Sequence, residues 1–141
     1  MACWTGYDYR RKGVRMTYEK AIQLAHMEGF TYVPEVEDIL RPGIDVGYVV
    51  GSMYDGVILP PHAARNYTAL AAAIYTFVNT NSTRPVGGWY DHDTQQYYLD
   101  VVCVVSDLDS AMAIGRDNSQ KAIFDLARNM TIEVPPFEKV A

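Results

Sequence analysis

Nine residues, Tyr97-Tyr98-Leu99-Asp100-Val101-Val102-Cys103-Val104-Val105, are aromatic or β-branched nearly throughout. A run of this kind carries no helical stripe, so it reads as a strand buried on both faces, and the rest of the chain must supply the cover. Its flanks are as explicit. Val86-Gly87-Gly88-Trp89-Tyr90 reads as a partner strand, joined to it by the turn formers Asp91-His92-Asp93-Thr94. After it, Ser106 with Asp109 three residues on forms a capping box, and Asp107 and Asp109 place negative charge at the positive end of the helix dipole. Gly115 and Asn118 are stop signals for that helix, and Gln120 to Leu126 follows as a return strand.

The remaining segments are shorter. Met1 to Arg15, with the basic cluster Arg10-Arg11-Lys12, reads as a mobile arm or an edge strand; an alternative is an arm that packs on another subunit or reaches an anionic ligand. Thr17 caps a helix running to about Glu28, with Gly29 as its C′ residue. Phe30 to Val33 makes a strand ended by Pro34, and Glu35 to Asp38 a single helical turn closed by Arg41-Pro42-Gly43. Tyr48-Val49-Val50 and Met53-Tyr54 lead to Asp55-Gly56, a hairpin turn answered by Val57-Ile58-Leu59. Behind Pro60-Pro61 a helix is expected from Ala63 to Asn79, with Leu70, Ile74, Phe77 and Val78 facing a sheet. Arg128-Asn129 makes a tight turn, Thr131 to Val134 a last strand, and residues 135–141 a tail.

Three helices and about seven short strands, several joined by hairpins, give an α+β class: one domain over residues 1–141, its helices on one face of a mainly antiparallel sheet. A doubly wound nucleotide-binding sheet is disfavoured. Strands and helices do not alternate, and no strand runs into a glycine-rich loop that opens a helix.

Charge excludes one class of partner. Seventeen acidic residues against twelve Lys and Arg give a net charge of −5, which argues against a basic face for duplex nucleic acid. It leaves room for a small anion held by a few placed arginines. No apolar run approaches a membrane span, and no apolar signal core opens the chain. Cys3 and Cys103 lie far apart, so no disulfide is expected and the reducing cytosol is the natural compartment.

The chemistry-bearing motifs are sparse. There is no Walker loop, zincin helix or paired-cysteine metal pattern, and no cofactor is expected. Asp91-His92-Asp93 is explained by its turn, and Cys103 by burial in a strand. His26 reads as a surface or boundary histidine, while His62 is kept as a candidate base or ligand contact. Binding has more support. Gly87-Gly88 removes bulk before Trp89, which suits either a bend beside a core indole or a flat ring stacking on it. Arg116 and Asn118 stand at a helix end, where arginine favours the C-terminal dipole and also suits phosphate. Arg41 in a turn and Arg65 in the first turn of the expected helix are further phosphate candidates. Arg65 is the more informative, since a cation at a helix N-terminus is mildly unfavourable without an anion nearby.

From Gly87 to Leu126 the pattern G-G-W-x-D, Y-Y-x-D-V, V-V-x-D-x-D-x-A and G-R-x-N-x-Q-x-A-I-F-D-L resembles small phage-encoded proteins, most closely the anti-Thoeris sponges of the first class. These sequester a cyclic ADP-ribose immune signal without cleaving it. The resemblance covers the last third of the chain; elsewhere it extends only to size and order of elements. It implies a homo-oligomer, a dimer or higher, with ligand held between subunits, acting in the cytoplasm of an infected bacterial host. By order and spacing it implies Trp89 as stacking residue, Asp100 as the polar strand residue and Arg116 as the late arginine. Asp100 departs from a neutral amide and would suit a ribose hydroxyl better than phosphate. A second arginine is implied without a clean match, leaving Arg41 and Arg65. Two other readings stand beside this one: an inhibitor that binds a host defence protein through the tyrosine-rich surface, and a small enzyme on a nucleotide or ADP-ribosyl group with His62 or Asp100 as base.

Overall fold

The computed structural model describes residues 16–52 and 56–135. In chain order these form α1 (Tyr18–Ala25), β1 (Gly29–Val33), β2 (Asp38–Ile39), β3 (Tyr48–Gly51), β4 (Val57–Leu59), α2 (Pro61–Ala64), α3 (Tyr67–Thr80), β5 (Val86–Asp91), β6 (Gln96–Val105), α4 (Leu108–Asp117), β7 (Ala122–Asp125) and β8 (Met130–Glu133). Every strand pairing is antiparallel, and the class is α+β. The basic stretch within residues 1–15, Met53 to Asp55 and the tail beyond Pro135 lie outside the described residues.

The described chain divides into two compact units. The first holds residues 16–39 and 56–101. Its strands run in the order β2-β1-β5-β6, with β4 on the other side of β6. Because successive side chains alternate between faces, the register sorts the residues. Tyr97, Leu99 and Val101 of β6 stand opposite Tyr90, Gly88 and Val86 of β5, and Phe30 and Tyr32 of β1 continue that face. This is the face that α1 and α3 cover, through Ala21, Leu24 and Ala25 from one helix and Leu70, Ile74 and Val78 from the other. Trp89, Tyr98 and Asp100 belong to the opposite face.

The second unit holds residues 40–52 and 102–135, with strand order β6-β3-β7-β8. Residues 102–105 of β6 are buried on both faces here. Cys103 and Val105 pack with Val50, Ile123 and the α4 residues Ala111 and Ile114, while Val102 and Val104 pack with Val49 and Leu126. Gly115 lies inside α4 and faces Val134 and Ile123, where an added Cβ would come within 3.2 Å of Val134 Cγ2. Asp125, buried at the end of β7, accepts from the Arg128 backbone N–H at 3.3 Å and lies 3.8 Å from the Arg128 guanidinium.

Several expectations need correction. From Gln96 to Asp100, β6 alternates half-exposed and buried residues; only its C-terminal half is covered on both faces. Asp107, not Ser106, caps α4, and the helix passes through Gly115 to end at Asn118. α1 stops at Ala25 with His26 as C-cap, and Gly29 begins β1. Residues 34–37 form the turn of the β1–β2 hairpin, with Glu37 in the left-handed region, in place of a helical turn. Among the described residues β3 and β4 both pair with β6 and not with each other; Met53-Tyr54 and Asp55 of the hairpin expected at Asp55-Gly56 lie outside them. The helix expected from Ala63 to Asn79 is two helices, because Asn66 turns its side chain onto the backbone N–H groups of Thr68 and Ala69 and starts α3 afresh. Cys103 is disulfide-bonded, against the expectation of a free core thiol; Cys3 lies outside the described residues. The cysteine argument for a reducing compartment falls with that correction. Among the described residues no helix is long and apolar enough to cross a membrane.

Candidate functional site

The break between α2 and α3 opens a cleft of about 340 Å³ within the first unit. Three segments line it. One is the end of α1, where the capped helix releases the chain through His26, Met27 and Glu28. Another is the α2–α3 junction, with Arg65 as the C-cap of α2 and Tyr67 as the first residue of α3. The third is the β5–β6 hairpin, which supplies Tyr90, His92 and Tyr97. The hairpin is tied to the first segment by the Tyr90 N–H, which donates to the Glu28 carbonyl at 2.9 Å, and by contact of His92 Nε2 with the Glu28 carboxylate.

The walls are aromatic. His26 and Tyr67 lie 4.1 Å apart between ring centroids at 36°, and Tyr90 meets His92 edge-on at 4.9 Å and 87°. Ala25, Ala64 and Leu70 make an apolar base, joined by Tyr97, which is 1% exposed. The Tyr97 hydroxyl has no hydrogen-bond partner among the described residues, and burial raises its pKa. A buried hydroxyl left unpaired costs roughly 1–3 kcal/mol, and a ligand group that bonds it recovers that cost. Arg65 is exposed at the rim and makes no ion pair among the described residues. The cleft therefore presents ring faces for stacking and a planar cation for an anion, above a buried hydroxyl that a ligand reaches only by displacing its cover.

The residues expected from the sequence do not converge. Arg65 lines the cleft as the C-cap of the one-turn α2 and as the residue just before Asn66, the N-cap of α3, so it still stands beside a helix N-terminus. Trp89 and Asp100 stand on the face of the same sheet that the helices leave uncovered. Trp89 is 56% exposed and stacks on Tyr98 at 5.6 Å and 33°, so it is not a core indole. Arg41, Arg116 and Asn118 belong to the other unit. Arg41 faces Asp45 at 3.9 Å, Arg116 lies in the last turn of α4, and Asn118 caps that helix and donates from Nδ2 to the Gly51 carbonyl at 2.9 Å. His62 is exposed on α2, outside the residues that line the cleft.

Sequence reasoning missed His26, Tyr67, Tyr90, His92 and Tyr97. The available signal was Arg65-Asn66-Tyr67, where an asparagine cap inside an apparent helix marks a break with an arginine and an aromatic beside it.

Comparison of the chain with protein-family models, with curated proteins and with solved structures gives no match.

Proposed function

We propose that this protein binds a small anionic ligand with an aromatic ring, of the nucleotide class, in the cleft beside Arg65, and holds it without chemistry. The observation that carries the reading is the combination, around one cleft, of aromatic walls, an arginine without an ion pair among the described residues, and beneath them a buried hydroxyl that has no partner among those residues. A volume of about 340 Å³ lies at the small end of ligand pockets and suits a base with its sugar better than a whole dinucleotide. Joined to the resemblance of residues 87–126, the reading becomes a phage counter-defence sponge for a cyclic ADP-ribose-type or cyclic nucleotide signal, working as a homo-oligomer in the host cytoplasm. Of the residues named on that resemblance, Arg65 alone lines the cleft; Trp89, Asp100 and Arg116 do not.

One observation favours a second reading. His92 in contact with the Glu28 carboxylate is a histidine oriented by an acid, the arrangement of a general base. A small enzyme on a nucleotide or ADP-ribosyl group would use His92, in place of His62 or Asp100. Native mass spectrometry with a panel of cyclic nucleotides and ADP-ribose derivatives separates the readings. Retention of a ligand of unchanged mass supports sequestration, and a changed mass supports the enzyme. No retained ligand from the whole panel overturns the proposal and turns attention to a direct inhibitor of a host defence protein.

A further inference from the structure

The sheet face opposite α1 and α3 has chemistry of its own. Trp89 and Tyr98 stand opposite each other across β5 and β6, one tilted on the other, and Ile58 of β4 continues the row on the far side of Tyr98. Trp89 and Ile58 are both more than half exposed. Two residues along β6 on the same face, about 7 Å away by strand geometry, stands Asp100. Its cross-strand neighbour is Gly87, which has no side chain to shield it. On its other side the carboxylate leans over Gly56, where an added Cβ would meet Asp100 Oδ1 at 2.1 Å and the Leu99 carbonyl oxygen at 2.6 Å. Asp100 is half-buried, burial raises its pKa, and its side chain makes no hydrogen bond or ion pair among the described residues. Asp91, on the same face, adds a second negative charge.

A carboxylate left unpaired on the same face as the exposed Trp89 ring and the half-buried Tyr98 ring repels phosphate and attracts a cation. A guanidinium fits better than an ammonium, because its plane can lie on the indole while its edge donates to the carboxylate. We infer that this face is a docking site for an arginine-bearing peptide segment of a partner protein, with the guanidinium stacked on Trp89 and donating to Asp100. The site is separate from the cleft, which lies on the helix-covered side and presents Arg65 to an anion.

The test is an NMR titration of the 15N-labelled full chain with a hexa-arginine peptide, followed at the Trp89 indole Nε1–H, which Trp89→Phe identifies. The account expects a saturable shift at Trp89 and none with a hexaglutamine peptide. Asp100→Asn, which keeps the shape and removes the charge, should weaken binding about tenfold or more, as loss of a charge-assisted contact does. Absence of a shift at Trp89 overturns the inference. Equal affinity of wild type and Asp100→Asn also overturns it, since that result reports only the attraction of a polycation to an acidic protein.

Discussion

The ring of Phe30 lies over the backbone of Gly88, so close that a Cβ at position 88 would stand 2.2 Å from Phe30 Cε1. Phe30 is buried in the core between the sheet and α1 and α3, and has little room to withdraw. Gly88→Ala is therefore an overpacking change, expected to destabilise the fold by about 1–3 kcal/mol. Chemical denaturation measures it; a change within error would show that Phe30 repacks freely.

Asn66 makes the cleft by ending one helix and starting another. Its side chain accepts from Thr68 N at 3.0 Å and Ala69 N at 3.2 Å. Asn66→Ala should cost ~1 kcal/mol and let α2 and α3 merge toward the continuous helix that the residue propensities favour. The expected signature is a lower unfolding midpoint together with weaker ligand retention. Full retention would mean that the cleft does not depend on the break.

That same break shows where the sequence was readable and where it was not. Long elements with one-sided or two-sided burial, such as α3 and the Val102–Val105 half of β6, were legible because apolar spacing and β-branching report burial directly. Element ends were less so. Local cap chemistry decided them: Asp107 displaced Ser106, and Gly115 served packing against Val134 instead of stopping its helix. The cleft was illegible for a different reason. His26, Tyr67 and Tyr97 are brought together by the way α1 and α3 sit on the sheet, and no sequence spacing encodes that juxtaposition. Trp89 failed as a partner for Arg65 because strand parity sends it to the other face.

Two aspartates should respond to pH with opposite signs. Burial raises the Asp100 pKa above its ordinary 3.8, so the folded state holds that proton more tightly and stability falls as pH rises from about 3.8 through the folded value. Asp100→Asn should therefore raise the Tm at pH 7, and the gain should close below the ordinary value. Asp107 is lowered by the Ser110 hydroxyl, which donates to it at 2.8 Å, and by the Ser110 N–H. Its contribution is present above the ordinary carboxylate value and is lost as pH falls through the lowered one. Asp107→Ala should lower the Tm at pH 7 and make little difference in acid. Thermal melts of both variants from pH 3 to pH 7 check the pair, and parallel curves would contradict it.

The account rests most heavily on the cleft beside Arg65. The most direct measurement is calorimetric titration of wild type, Arg65→Ala and Tyr97→Phe with whichever nucleotide of the panel native mass spectrometry finds retained. The account predicts that Arg65→Ala weakens binding about tenfold or more with the Tm unchanged. Tyr97→Phe should weaken binding while leaving the empty protein as stable or up to about 1 kcal/mol more stable, because it deletes an unpaired buried hydroxyl. Wild-type affinity in both variants would place the ligand elsewhere and contradict the assignment of this cleft.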